Sequence, residues 1–570
     1  MKGFVAVIGK TNCSDSIRRI AARGVDHLVQ ELGKVSDRYE GETATLIETE
    51  LHSEKHSITR LNGLMVLGSV RIDNRDKLKT KLSINKSRQV SDKQLVLLAF
   101  KKFRETCCEY FIGDYAFLIL DSNTNAVFCA RDRLGTRPLF YSETPDCIIV
   151  SSRIGYIDGL AHRTMDEASI SATLALIPHC PEETNVKAVK RLLPATSLSW
   201  KRGELTTKRY WKLEATEKEY QDAAHEFRQI FTKSVEDRLF GQSNIASMLS
   251  GGLDSSAVTL VAAERMKSRP GRSLTSYSMV FPKTPELDES KYIEDVVRVG
   301  SLTSKLVPLD NVAPLGNIEH IVRMQDALVS APGLARNYLF CDALKTEGFN
   351  VLLDGHGGDE VVGFGFGRIE ELANNGDWLG VAKLIPTVSG HTGDRFLRLF
   401  WIFFEQFGPD GNRKRIAQAL GHRYRKYLRP QELTPLRLSR ELLNEEFSKR
   451  NNVVDRFYEA QRSRKKDGNG FNSDQIAGIV SPYMQHSLEV LHRQSTSFGI
   501  ETRFPFLDSR LIELTTSMAN SEKLQAGQTR SIMRRALEDV YPKSVYQRKR
   551  KVRFEYEMKY GLLRHHDELL

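Results

Sequence analysis

Leu249-Ser250-Gly251-Gly252-Leu253-Asp254-Ser255-Ser256 stands directly after the apolar run 245–249 and directly before a helical pattern that starts at about Asp254. Glycines let a backbone come close to a phosphate group. Hydroxyls and amides at a helix N-terminus donate hydrogen bonds to it, and the helix dipole favours its negative charge. The stretch therefore predicts a strand, an anion-cradling loop and a helix. No lysine follows the glycines, so it is not the Gly-x-x-x-x-Gly-Lys-Ser/Thr loop of phosphoryl-transfer enzymes.

Outward from this loop, strand-like and helical runs alternate: a strand at 275–281, a helix through Ile293 and Val297, a strand at 305–309. Such alternation predicts a parallel sheet with helices on its faces. A second glycine cluster, Asp354-Gly355-His356-Gly357-Gly358-Asp359-Glu360, follows the apolar run 351–353 where another strand would end. Ligands of open parallel sheets bind beyond the carboxyl ends of the strands, so two such loops can face one nucleotide. Asp254 and Asp359 could then share magnesium, a hard cation that takes one or two carboxylates plus phosphate oxygens. An acidic helix cap would explain Asp359 alone, but not the glycines and histidine beside it.

Upstream of about Trp211 the grammar differs. Short β-rich runs at 64–72, 115–120, 126–130 and 147–150 predict a sheet-rich α+β unit, and the start, 1–9, reads as its first strand. The polar stretch 214–222 suits a linker, and from about 364 to 470 helical patterns dominate. With 570 residues, 40% hydrophobic and 27% charged, the chain suits two large globular domains, expected at 1–211 and 212–570. A net charge of +11 favours anionic partners such as ATP or an acidic peptide, and it does not choose among them. Six of the eleven residues 543–553 are basic, a run that would ordinarily be a solvated face. Seven cysteines without CxxC pairs point to reduced thiols and a cytoplasmic setting. The aromatic run at 399–404 is far shorter than the roughly 20 residues needed to span a bilayer.

SGGxDSS resembles the pyrophosphate loop of ATP pyrophosphatases, which split ATP between its α and β phosphates. Residues 492–508, with Gly499-Ile500-Glu501-Thr502-Arg503-Phe504-Pro505-Phe506-Leu507-Asp508, resemble the late signature of asparagine synthetases, and 548–554 resembles their closing basic segment. In the first half, Gly113-Asp114-Tyr115-Ala116-Phe117 and residues 130–141 resemble the glutaminase domain of the same family. The resemblance implies a degenerate N-terminal-nucleophile αββα sandwich, then an α/β ATP-pyrophosphatase domain with helical elaborations. It implies ATP and Mg2+ as cofactors. ATP would be bound by Leu249, Ser250, Gly251, Gly252, Asp254, Ser255, Ser256, Ser278, Asp354 and Gly355, and the metal by Asp254 and Asp359. The family's catalytic lysine stands three residues before a phenylalanine, which gives Lys551 with Phe554 as anchor. An ungapped register from Val545 lands on Arg550, with Lys549 beside it.

The sequence departs from the family pattern in two places. The cysteine that should follow the initiator methionine, nucleophile of glutamine hydrolysis, is Lys2, and the Asn-Gly-Glu segment that grips glutamine is replaced by Val70-Arg71-Ile72-Asp73-Asn74-Arg75. Cys13 lacks the Gly-Ile that should follow the nucleophile. The family glutamate in the second loop is His356, an imidazole able to take a proton from an amine near neutral pH. These departures lead to an ATP-dependent ligase that makes an amide through an acyl-adenylate. Its expected substrate is a lasso-type precursor peptide closed to a macrolactam between its N-terminal amine and an Asp or Glu side chain. That reading brings a leader-peptide-binding protein and a protease as partners, and no nucleic acid. The alternatives are an ammonia-using asparagine synthetase, a β-lactam-synthetase-like cyclase of small molecules, and a silent paralogue that only binds nucleotide or peptide. Phe396, Leu399, Trp401, Phe403 and Phe404 could line a peptide pocket or simply pack a core.

Overall fold

The computed structural model describes residues 3–9, 35–41, 43–49, 58–158, 164–177, 181–241, 244–267, 274–313, 316–328, 333–388, 443–466 and 471–548. Its first half holds twelve strands: β1 (Gly3–Gly9), β2 (Val35–Glu40), β3 (Ala44–Thr49), β4 (Thr59–Leu61), β5 (Leu64–Ile72), β6 (Gly113–Asp121), β7 (Ala126–Arg131), β8 (Phe140–Glu143), β9 (Cys147–Ser151), β10 (Lys190–Arg191), β11 (Thr196–Lys201) and β12 (Glu204–Arg209). They form two six-stranded antiparallel sheets among the described residues, ordered β10-β8-β9-β1-β3-β2 and β12-β11-β7-β6-β5-β4. Period-two side-chain placement builds the layers. Phe4, Ala6 and Ile8 of β1 meet Met65, Leu67, Leu118 and Leu120 between the sheets, whereas Val5 and Val7 point to the other face with Ile149 and Tyr156. The far face of the second sheet carries Val66, Phe117 and Ile119 under the helix Asp92–Phe103, which a full capping box at Ser91 starts. This is the sandwich the resemblance implies, with one helical layer described on the second sheet.

Regular structure lapses between β12 and the helix Ala223–Arg238, across the stretch expected to be a linker. Beyond it lies a five-stranded sheet of β13 (Ile245–Met248), β14 (Thr275–Val280), β15 (Thr303–Pro308), β16 (Val351–Leu353) and β17 (Glu501–Arg503). Its order is β15-β14-β13-β16-β17, all parallel. The helix Leu253–Lys267 is buried along most of its length, as a crossover helix on a parallel sheet must be. One continuous core joins that helix and Ala223–Arg238 to Phe504, Phe506 and Leu511. The described parts of 364–466 are helical: Gly367–Asn374, Trp378–Val388, Glu445–Arg450 and Val453–Lys466. Phe396, Leu399, Trp401, Phe403 and Phe404, like Lys2 and Cys13, lie outside the described residues. Cys107, Cys108, Cys129, Cys147 and Cys341 are buried free thiols, and no described helix is long and apolar enough to cross a membrane.

Candidate functional site

β13 and β16 are neighbours, so the loops leaving their carboxyl ends meet. The first loop turns on Gly251 at φ +69°, where a Cβ would lie 2.7 Å from Cβ of Tyr292. Ser255 closes it: the Ser250 amide donates to Ser255 Oγ at 3.1 Å, and the two hydroxyls are 3.0 Å apart. The second loop lies directly on the first. A Cβ on Gly358 would fall 2.6 Å from Cγ of Asp254, and one on Gly355 would fall 2.8 Å from the Ser255 amide nitrogen. That close approach is the physical reason for the glycines of Asp354–Asp359.

Between these loops opens a cavity of about 450 Å³, a volume suited to a nucleotide-sized ligand. Ser250, Gly252, Asp254, Ser255, Asp354, Gly355, His356 and Asp359 border its polar end, and Met248, Met279, Phe340 and Leu352 its apolar end. Leu249, Gly251, Ser256 and Ser278, expected from sequence to bind ATP, are not among the residues that line it. The hydroxyls of Ser256 and Ser278 are buried without a hydrogen-bond partner among the described residues. Lys549 and Lys551 lie outside the described residues.

Sequence reasoning missed three arginines here. Arg548, last of the described chain, donates from Nη1 to the Gly251 carbonyl at 3.0 Å, pairs with Glu289 and lies over the Tyr292 ring at 4.1 Å. Arg534 donates to the carbonyls of Tyr546 and Arg548, fastening that segment to the short helix Ser531–Ala536. The basic run 543–553 is thus no mere solvated face where it is described. Arg530 Nη1 lies 2.9 and 2.7 Å from Asp254 Oδ1 and Oδ2, and 2.8 Å from Asp359 Oδ1. Asp254 and Asp359, expected from sequence to share magnesium, are joined here by a guanidinium of the same chain. Two carboxylates this close need a cation between them. No sequence motif marked Arg530, which precedes the short helix Ser531–Ala536 in a left-handed conformation.

The donor set suits magnesium held mainly through phosphate oxygens, since such an ion takes only one or two protein carboxylates. Among the described residues no group of three or more His, Cys, Asp or Glu side chains forms an all-protein cage.

His356 is fixed by a short network. Its amide donates to Asp354 Oδ1 at 2.9 Å, and its Nε2 lies 3.1 Å from Ser487 Oγ. The Ser487 hydroxyl gives its one hydrogen to the Met484 carbonyl at 2.9 Å. With that hydrogen on Met484, the contact assigns Nε2 as donor to Ser487 and the lone pair to Nδ1.

The remaining signature residues form the wall between the halves. Arg131, fully buried, donates to the carbonyls of Gly135, Arg137 and Leu192 and then to Glu489 Oε1 at 2.9 Å. Arg191 Nε reaches the same oxygen at 2.8 Å, and Arg493 Nη2 reaches Glu489 Oε2 at 2.9 Å. Burial alone would raise the Glu489 carboxyl. Arg191, Arg131 and Arg493 overcome it and hold the carboxyl well below the usual range. In a second cluster, Arg137 and Arg503 bond Glu501 at 2.7 and 2.8 Å. Arg71, in the segment that replaces Asn-Gly-Glu, pairs with Asp73 and Asp114 and comes within 3.8 Å of Glu501. His492, whose Nδ1 lies 3.2 Å from Arg137 Nη1, is kept neutral by burial and then by Arg137.

With this geometry in place, the comparisons with known proteins are direct. The asparagine synthase family matches residues 226–570, and the glutamine amidotransferase domain matches 52–211. "Asparagine synthetase [glutamine-hydrolyzing] 3" of Bacillus subtilis is 25% identical over 478 residues, covering 81% of this chain and 70% of that protein. "Asparagine synthetase [glutamine-hydrolyzing] 1" of the same organism is 23% identical over 472 residues, with the same shares. "Amidase chyE" of Penicillium rubens is 26% identical over 287 residues, 47% of this chain and 42% of that protein. An amidotransferase-like sandwich is thus followed by a helix-elaborated pyrophosphate-loop domain, and the chain belongs to the asparagine synthase family.

Proposed function

We propose that this chain forms an amide bond by activating a carboxylate as an acyl-adenylate with ATP, and that its nitrogen nucleophile comes from solution rather than from glutamine. The observation that carries the reading is the convergence of the Ser250–Ser255 loop and the Asp354–Asp359 loop on one cavity beside Arg530. Residues 212–570 would do this chemistry, with 1–211 as a glutaminase-like half.

Ser250, Ser255 and the amides of the loop would hold the polyphosphate at the N-terminus of the helix Leu253–Lys267, where the dipole favours negative charge. Magnesium, held by Asp254 and Asp359 through the phosphates, would supply charge neutralisation there. A carboxylate oxygen of the substrate attacks the α-phosphorus, and the bond to the β-phosphate oxygen breaks, giving pyrophosphate. The nucleophile then attacks the acyl carbon, its proton passes to Nδ1 of His356, and AMP leaves. Lys551, or Lys549 in the other register, would stabilise the tetrahedral oxyanion.

The names of the relatives favour asparagine over a peptide macrolactam as the product, and free ammonia in place of their glutamine rests on Lys2 alone. The peptide-cyclising reading draws its support from Lys2 in place of a nucleophile and from His356, which suits a primary amine. The deciding test supplies ATP, magnesium and either aspartate with ammonium or a leaderless precursor peptide, and follows AMP and product mass. Asparagine is the expected product. A peptide lighter by one water, with no asparagine, would replace this reading by the cyclase.

A further inference from the structure

One nitrogen of Arg530 lies within hydrogen-bond distance of three carboxylate oxygens from two different loops, at 2.9, 2.7 and 2.8 Å. The side chain is only 11% exposed, its Nε has no hydrogen-bond partner among the described residues, and its guanidinium lies 5.5 Å from the Phe364 ring centroid. Its backbone sits at φ +55°, a left-handed conformation that costs a non-glycine residue energy and aims this side chain into the site. Arg534 donates to backbone carbonyls, and Arg548 is shared between the Gly251 carbonyl and Glu289. Arg530 is the arginine that bridges carboxylates of the two loops.

A magnesium ion binds carboxylate oxygen at about 2.0 to 2.1 Å and would compete with Nη1 for the same oxygens. Two cations cannot share that position. An arriving polyphosphate offers the guanidinium several anionic oxygens in a geometry that suits its planar fork.

We propose that Arg530 is a built-in counter-ion: it neutralises Asp254 and Asp359 while the site lacks nucleotide, excludes bare divalent ions, and moves onto the polyphosphate when metal and nucleotide enter together. The proposal rests on the reading that these two carboxylates serve the metal–nucleotide complex. Metal binding is then coupled to nucleotide binding, and by linkage each strengthens the other.

The test uses the full-length protein and Mn2+ as a spectroscopic probe. Free Mn2+ is followed by electron paramagnetic resonance with and without α,β-methylene-ATP, and nucleotide binding is followed by calorimetry. Wild type is expected to bind Mn2+ weakly until nucleotide is added. Arg530→Met, or Arg530→Gln if the first fails to fold by circular dichroism, should bind Mn2+ about tenfold more tightly without nucleotide and the nucleotide about tenfold more weakly. Arg530→Lys should keep bare Mn2+ out. If the neutral variants bind Mn2+ no better than wild type, or keep wild-type affinity for the nucleotide, the counter-ion role is wrong. Asp254→Asn separates the two levels. If it leaves Mn2+ binding in the nucleotide complex intact, the carboxylate assignment itself falls. If it abolishes that binding while Arg530→Met changes nothing, only the role of Arg530 falls.

Discussion

Glu489→Ala should weaken the protein more than any substitution at the surface. The carboxylate is 1% exposed and takes hydrogens from Arg131, Arg191 and Arg493, whose side chains are 0, 10 and 2% exposed. Taking it away removes the shared anionic partner of three guanidinium groups at the boundary between the halves. Breaking a single buried pair this way costs about 3 to 5 kcal/mol. Here the loss should reach at least the upper part of that range, since Arg131 keeps its three carbonyl acceptors but Arg493 and Arg191 lose charge compensation. Urea titration read by tryptophan fluorescence is the assay, with Trp200 buried in the first half. The expected record is an earlier transition that splits in two, because the halves no longer unfold together. Glu489→Gln keeps shape and isolates charge. The folded carboxyl is depressed below its usual 4.5, so the charge contributes fully above about pH 4.5 and its contribution fades as pH falls below that value. The advantage of wild type over Glu489→Gln should therefore be flat from pH 8 to 5 and shrink in acid. A shift under about 0.5 kcal/mol at pH 7 for Glu489→Ala would refute the claim that this cluster holds the halves together.

The purified protein should release no glutamate from glutamine above a control without enzyme; release that depends on Cys13 would overturn the assignment of Lys2 as a lost nucleophile. Lys551→Ala should bind ATP normally and lose amide formation by about 3 kcal/mol of transition-state stabilisation, read as single-turnover product. That pattern in Lys549→Ala instead would move the lysine to the other register. Lys523 is 1% exposed, bonded to Gln475 Oε1 at 2.6 Å, and pushed down to about 7 by burial, against the pull of Glu371. Because the unfolded chain holds the proton up to about 10.5, stability from this group rises as pH climbs from about 7 to 10.5. Lys523→Met should thus melt higher than wild type at pH 6, with the gap closing towards pH 10; a gap independent of pH would refute this.

The nucleotide-binding sheet was readable from sequence because its strands are short, apolar and separated by helices. The runs read at 245–249, 275–281 and 351–353 coincide with β13, β14 and β16 to within a residue. In the first half, β5, β6, β7 and β9 showed themselves by buried apolar runs. The hairpin of β11 and β12 did not, since β12 carries Glu204, Lys208 and Arg209 and is almost wholly exposed. β17 was hidden for the opposite reason. Its Glu-Thr-Arg has the composition of a surface turn, and only the guanidiniums of Arg137 and Arg503 make its burial tolerable. Glycine loops announce themselves locally because backbone approach needs consecutive residues. Arg530 reaches Asp254 across 276 positions of chain, and no local pattern can encode that meeting.

The strand β17 also bears on how such a chain can change over generations. Thr502 borders the nucleotide cavity while its neighbour Glu501 is gripped from the first half by Arg137. Residues of the first half that touch the second carry a constraint of their own, whatever chemistry the first half performs. Arg131 and Arg137 each bond an acid of the other half, so replacing either removes one of the cations that hold Glu489 or Glu501. The first half is thereby tied to the second by charge as well as by chain.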